Sequence, residues 1–142
     1  MLHTVHGSFR LKHGSMRYDF AAGKASGEIV IDARSGDSGS GARDRRMHKN
    51  VLESDRFPEI AFLPDRIEGS LAKAKVHGTF RIHGQDHEMT MEMTGTPNGT
   101  RLDVKGQFLV PYVQWGMKDP STLILKVGNT VTIDVTASGQ TR

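Results

Sequence analysis

The chain has 142 residues, 36% hydrophobic and 25% charged, with no cysteine. That is one domain's worth of soluble protein, and it excludes disulfides, thiolate metal sites, iron–sulfur clusters and thiol nucleophiles. Its 19 basic residues exceed its 16 acidic ones by only three, too small a bias to make nucleic acid the partner. No apolar run reaches the roughly 18 residues of a membrane helix, so no integral membrane segment is expected. The opening residues 1–7 lack the apolar stretch of a signal peptide, which leaves the compartment open.

Period-two alternation of apolar and polar residues marks strands with one dry and one wet face. Residues 4–11, 15–20 and 28–33 carry it weakly. Gly36-Asp37-Ser38-Gly39-Ser40-Gly41 then offers no side chain able to anchor a core and reads as a flexible loop. After it the period changes. Met47 with Val51, and His48 with Leu52, stand four apart, which predicts one short helix of about three turns near residues 44–54. Asp44 is the expected N-cap, and Pro58 stops the segment. Arg43, Arg45, Arg46 and Lys49 lie toward the unfavourable end of that helix's dipole. Two readings stand for them: a paired or solvated face, or a site for an anionic headgroup or phosphate.

Further strands follow. Residues 60–63 are a weak candidate, whereas residues 73–83 place apolar or small side chains on every even position. Residues 87–94 alternate as strictly, with Met89, Met91 and Met93 on one side. The pattern recurs over 101–108, weakly over 123–127, and again over 130–137. Gly84-Gln85-Asp86, Pro97-Asn98-Gly99 and Gly128-Asn129 supply turns. Eight or nine short strands joined by tight turns make antiparallel hairpins, and their dry faces must curl or stack. A sandwich and a barrel both satisfy this; mid-strand glycines at 7, 27, 78 and 106 favour the barrel. The expected fold is all-β: an antiparallel up-and-down barrel of about eight strands, one helix, one domain over residues 1–142.

The usual catalytic motifs are missing. There is no Gly-x-Ser-x-Gly elbow, no His-Glu-x-x-His and no phosphate loop. An enzyme would have to use His48 with Asp44, without an oxyanion stabiliser, so no catalytic residues are assigned. Without cysteine a zinc site needs several converging histidines or carboxylates. His77 and His83 share a strand's polar face but stand about 20 Å apart. His83 and His87 flank a tight turn, a placement that allows them to sit across from one another. Solvated or turn-stabilising roles are expected for them, and no metal.

The dry faces bring together Phe9, Ile29, Ile31, Phe62, Val76, Phe80, Ile82, Met89, Met91, Met93, Leu102, Val104, Phe108, Val131 and Ile133. Methionine is flexible and polarizable, suited to an adaptable cavity, and an eight-stranded barrel either fills itself or holds one ligand. A plain core and a greasy binding site both fit these residues.

Ser35-Gly36, Arg43-Asp44-Arg45-Arg46-Met47-His48, Leu52-Glu53-Ser54 and Phe57-Pro58-Glu59-Ile60-Ala61-Phe62 resemble the central signature of the YceI-like family. His3-Thr4-Val5-His6-Gly7-Ser8-Phe9 is similar to its early strand, and Gly78-Thr79-Phe80-Arg81-Ile82-His83-Gly84 to its later hairpin. The segment from Val110-Pro111-Tyr112 through Gln114-Trp115-Gly116 to Asp119-Pro120-Ser121 resembles a subgroup's C-terminal motif.

The resemblance implies a lipocalin-like barrel that carries or sequesters a long isoprenoid, polyprenyl or quinone-like amphiphile, without catalysis or a cofactor. It implies a bacterial protein, periplasmic or secreted. The inward residues become the tail-binding wall, and Arg43, Asp44, His48, Tyr112 and Trp115 the mouth or headgroup region. Arg43 and Asp44 also admit the simpler role of pairing to fix their loop. The family's usual strand before His3 is not seen in this sequence, which leaves open edges and predicts a homodimer. The alternative is a dry-cored barrel acting as a structural or protein-interaction subunit.

Overall fold

Over the described residues the alternating segments form strands, and the dry sides of those near 73–82, 87–94 and 101–108 fall on one face. The computed structural model describes residues 2–3, 8–37, 39, 41–110, 114–115, 126–127 and 131–140. Its elements in chain order are β1 (Leu2–His3), β2 (Ser8–Asp19), β3 (Lys24–Asp37), α1 (Gly41–Arg46) with a π-helical turn (Met47–Val51), and β4 (Glu59–Ser70). β5 (Lys73–Ile82), β6 (Gln85–Asn98), β7 (Arg101–Val110), β8 (Lys126–Val127) and β9 (Val131–Gln140) follow.

Seven strands make one antiparallel meander in the order β2-β3-β4-β5-β6-β7-β9. Strands β1 and β8 form a separate parallel pair. The large sheet curls. Phe9 and Met16 of β2, Ile29 of β3, Phe62 of β4, Val76 of β5, Met91 of β6 and Phe108 of β7 all belong to one apolar cluster, which a flat sheet cannot assemble. Among the described residues no ladder joins β2 to β9, so the sheet is a half-barrel with two edges.

Register explains the layers. Ile31 aligns with Ile60 on the concave face, and one step along the barrel axis Ile29, Phe62, Phe80 and His87 stand side by side. Below them Met89 opposes Gly78, Met91 opposes Val76 and Met93 opposes Ala74. The even positions of β5 are all buried, as the alternation predicted.

Gly78 is set by close approach. A Cβ there would stand 2.5 Å from the Leu63 carbonyl oxygen and 2.8 Å from the Pro64 Cα, both backbone atoms that cannot swing aside. Gly78→Ala is therefore expected to destabilise the fold by about 1–3 kcal/mol, as overpacking does. A lowered urea midpoint with unchanged slope checks it; an unchanged midpoint counts against it.

Several expectations need correction. Residues 4–11 and 15–20 do not define two strands: 8–19 is one strand with a register shift between Leu11 and His13, while 4–7 lie outside the described residues. That bulge moves the inward phase from Phe9 to Met16. A second shift between Pro64 and Arg66 extends β4 from the expected four residues to Ser70, with Phe62 and Ile67 both buried. Of 123–127 only Lys126–Val127 is described.

The helix starts earlier than expected and is not regular. The Asp37 carboxylate accepts the Gly39 N–H at 2.8 Å, and α1 begins at Gly41. Asp44 therefore lies in the first turn instead of capping it. The chain then widens into a π-turn, closed by the Leu52 N–H on the Met47 carbonyl at 2.8 Å. His83 and His87 do not face each other. Ile82 pairs with Gln85 across a two-residue turn in which His83 and Gly84 have φ of 55° and 71°, the geometry of a primed hairpin turn. His87 stands opposite Phe80.

Candidate functional site

The candidate site is the concave face and the segment capping one end of it. Buried Phe62, Val76, Phe80, Ile82, Met91 and Phe108 form the floor, with half-buried Phe9, Ile29, Ile31, Met89 and Met93 packed against them. Leu102 and Val104 are half-buried on β7. Val131 and Ile133 align with Val110 and Phe108 across the β7–β9 ladder, but their side chains lie outside what is described. The cluster also takes in Ala33, Val51, Leu52, Ile60, Met16, Phe20 and Met47, none of which was assigned to the wall from the sequence.

Aromatic rings concentrate at one level of this face. Phe80 meets Phe108 edge-on at 5.3 Å and Trp115 at 5.9 Å. The His87 imidazole stacks on the Trp115 indole at 4.0 Å between centroids, the planes 6° apart. Burial holds the His87 imidazole below the ordinary histidine pKa, partly offset by the Asp86 charge. Asp86 is itself tied to Arg81 on the outer face by a 2.7 Å hydrogen bond, which holds its carboxyl below the usual range. Such an exposed pair adds little stability but marks the register of the hairpin.

The cap is fastened at two points. The His48 Nε2 lies 2.9 Å from the Gly36 carbonyl oxygen, and its Nδ1 lies 2.9 Å from the Ser54 hydroxyl. A carbonyl only accepts, so Nε2 donates, and in the neutral ring Nδ1 accepts from Ser54. Both ring nitrogens are engaged, which leaves His48 poorly placed as a general base toward a substrate.

The second fastening joins the loop after the π-turn to the β5–β6 hairpin. Glu53 and His83 are hydrogen-bonded through Oε2 and Nε2. They are also the two non-glycine residues with positive φ among those described. The Glu53 carbonyl accepts the Arg56 and Phe57 N–H groups at 2.9 and 2.8 Å. Phe57 lies edge-on to the His83 ring at 4.7 Å, and Arg56 lies over the Phe57 ring at 5.1 Å.

Of the expected mouth residues, His48 is a fastening of the cap and Trp115 belongs to the aromatic level. Asp44 is half-buried in α1, while the Arg43 side chain and all of Tyr112 lie outside the described residues. His77 is paired with Asp65 at 2.8 Å. Among the described residues no three histidines or carboxylates converge as metal ligands.

The profile of the YceI-like domain matches residues 1–138. The chain belongs to the YceI-like family. Solved structures agree in fold. A YCEI protein from Campylobacter jejuni superposes with a TM-score of 0.82 at 14% identity, covering 100% of this chain and 88% of that one. Burkholderia cenocepacia BcnA gives 0.74 at 19% identity over 95% and 84% of the two chains. A polyisoprenoid binding domain from Saccharophagus degradans gives 0.65 at 18% identity over 96% and 91%. No curated protein matches the sequence. At these identities the likeness establishes the lipocalin-like architecture.

Two features of this YceI-like chain were not among the residues expected at the site. The period that places Met89, Met91 and Met93 inside also places His87 inside, and that signal was present. The Glu53–His83 contact joins residues thirty positions apart and left no local sign.

Proposed function

We propose that this protein binds a long-chain isoprenoid, polyprenyl or quinone-like, with its tail along the concave face. The continuity of that apolar face from β2 to β7 carries the reading. Met89, Met91 and Met93 run down one strand of it, giving an adaptable wall. Each methylene buried is worth about 0.8 kcal/mol, so a long tail offsets the several kcal/mol lost in ordering it. Membership of the YceI-like family and likeness in fold to a polyisoprenoid binding domain support the ligand class.

Binding without chemistry is the role we assign, since His48 spends both nitrogens on the fold. By family kinship we place the protein in the periplasm of a bacterium or outside the cell. The edges support a homodimer. Strand β2 carries Arg10, Lys12, Arg17 and Asp19, charges that discourage pairing, whereas β9 has Asp134 as its one charged residue. We assign the dimer contact to β9.

Mass spectrometry of the purified protein, native and then after organic extraction, tests the ligand and the dimer together. A stoichiometric isoprenoid mass is expected. Met89→Lys puts a charge on the half-buried wall, where its stem can reach out toward water and the fold survives. It is expected to cut the bound isoprenoid at least about tenfold. A folded Met89→Lys protein with unchanged lipid content would refute the tail site.

A further inference from the structure

One ring in the aromatic level is polar. His87 lies between Asp86 and Glu88, which alternate to the exposed side, and it shares the inward side with Met89. Its Nε2 is buried and has no hydrogen-bond partner among the described residues. Buried polar atoms in native proteins are nearly always paired, because leaving one unpaired forfeits its hydration without return. A bridging water needs two to four polar partners, but the ring pressed on His87 is the Trp115 indole and its cross-strand neighbour is Phe80.

The position of this atom along the barrel matters as much as its lack of a partner. The β5–β6 turn at His83 and Gly84 is covered by Phe57 of the cap, whose ring carbon would lie 2.6 Å from a Cβ at Gly84. His87 is therefore near the capped end. From it Met89, Met91 and Met93 lead away toward the opposite end, each on the same side of β6.

The charged groups nearest the ring in sequence and across the ladder are Asp86, Glu88 and Arg81, and Arg81 and Asp86 neutralise one another on the outer face. Burial favours the uncharged form of the imidazole. An uncharged imidazole suits a dipolar partner and gives little to a diphosphate, whose desolvation here would go uncompensated.

Building on the isoprenoid-binding reading above, we infer that His87 is the headgroup contact: its Nε2 hydrogen-bonds a neutral, oxygen-bearing head, carbonyl or hydroxyl, held head-inward beside Trp115. The tail then follows the methionines outward. The ring's two neutral tautomers serve the two heads, donating to a carbonyl or accepting from a hydroxyl.

The test is a set of probes with one shared geranylgeranyl tail: a naphthoquinone, the alcohol, the diphosphate and the head-less hydrocarbon. Affinities are measured by quenching of Trp115, the sole tryptophan, on wild type, His87→Phe and His87→Gln. Wild type is expected to bind the quinone or the alcohol about tenfold tighter than the hydrocarbon, the worth of one good hydrogen bond, and tighter than the diphosphate. His87→Phe is expected to bring the neutral-head probes down to the affinity of the hydrocarbon on the same variant, and His87→Gln to restore part of the difference. Nitrogen NMR of the His87 imidazole in the wild-type protein is a readout independent of any variant's folding. Its Nε2 resonance is expected to move with the favoured neutral-head probe and not with the hydrocarbon.

Preference for the quinone assigns a carbonyl head, and preference for the alcohol a hydroxyl. Tighter binding of the diphosphate, or neutral-head affinities indifferent to His87→Phe, would overturn the headgroup assignment while leaving the tail site standing. Failure of all four probes would overturn the isoprenoid reading itself, and this inference with it.

Discussion

Val76→Glu is expected to leave no folded protein. Val76 is 0% exposed on β5, the middle strand of the seven, and it lies between Ile67 of β4 and Met91 of β6. A carboxylate has no partner there and must be buried charged or take up a proton, at a cost of several kcal/mol. Removal of the packed isopropyl group adds to that cost. A domain of this size has about 5–15 kcal/mol to lose. Far-UV circular dichroism and urea unfolding decide the matter: loss of the cooperative transition is expected, and a transition at the wild-type midpoint would refute it. Val76→Thr keeps the shape and buries only a hydroxyl. It should fold, with a loss of about 1–3 kcal/mol.

The positions legible in the sequence and those that were not divide along a physical line. β5, β6 and β7 read clearly because each keeps one phase: the inward side of β5 is even throughout, and Met89, Met91 and Met93 are odd throughout. β2 and β4 read as fragments because a bulge changes their phase midway, after Leu11 in one and after Pro64 in the other. Alternation cannot be followed through a residue that opposes nothing. The helix was legible as an apolar spacing, but it begins at Gly41, ahead of that spacing, and its second half is a π-turn, neither of which a four-residue period predicts.

The wall and the cap differ in the same way. Hydrophobic pattern alone is enough to put Phe62, Val76, Phe80, Ile82 and Phe108 on the common face. The fastenings of the cap depend on contacts distant in sequence: His48 with Gly36 and Ser54, and Glu53 with His83. Family resemblance drew attention to His48 and Trp115, but the histidine inside the aromatic level is His87. Its neighbours Asp86 and Glu88 make the segment look like a polar turn, although its parity is that of the methionines.

A double-mutant cycle on His48 and Ser54 is expected to show strong coupling. Ser54 is 2% exposed, and its hydroxyl lies 2.9 Å from the His48 Nδ1. His48→Ala removes both ring hydrogen bonds at once and leaves the Ser54 hydroxyl and the Gly36 carbonyl without the imidazole, so a loss of about 3 kcal/mol is expected. Ser54→Ala leaves only Nδ1 unpaired, at about 1–2 kcal/mol. The double variant strands no hydroxyl, so its cost should fall short of the sum by about 1 kcal/mol, within the range for groups in direct contact. Urea midpoints of the four proteins measure this, and strict additivity would mean that the hydroxyl and the ring do not act as a pair. The same variants bear on binding. His48 ties the π-turn to the end of β3, so its loss loosens the cap over the concave face while leaving the methionine wall intact. A bound isoprenoid probe, its head held at the capped end, is then expected to dissociate faster from His48→Ala because the loosened cap no longer supports the head, with no change from Met89 to Met93 to account for it. An unchanged dissociation rate in the folded variant would mean that the cap does not help to hold the head.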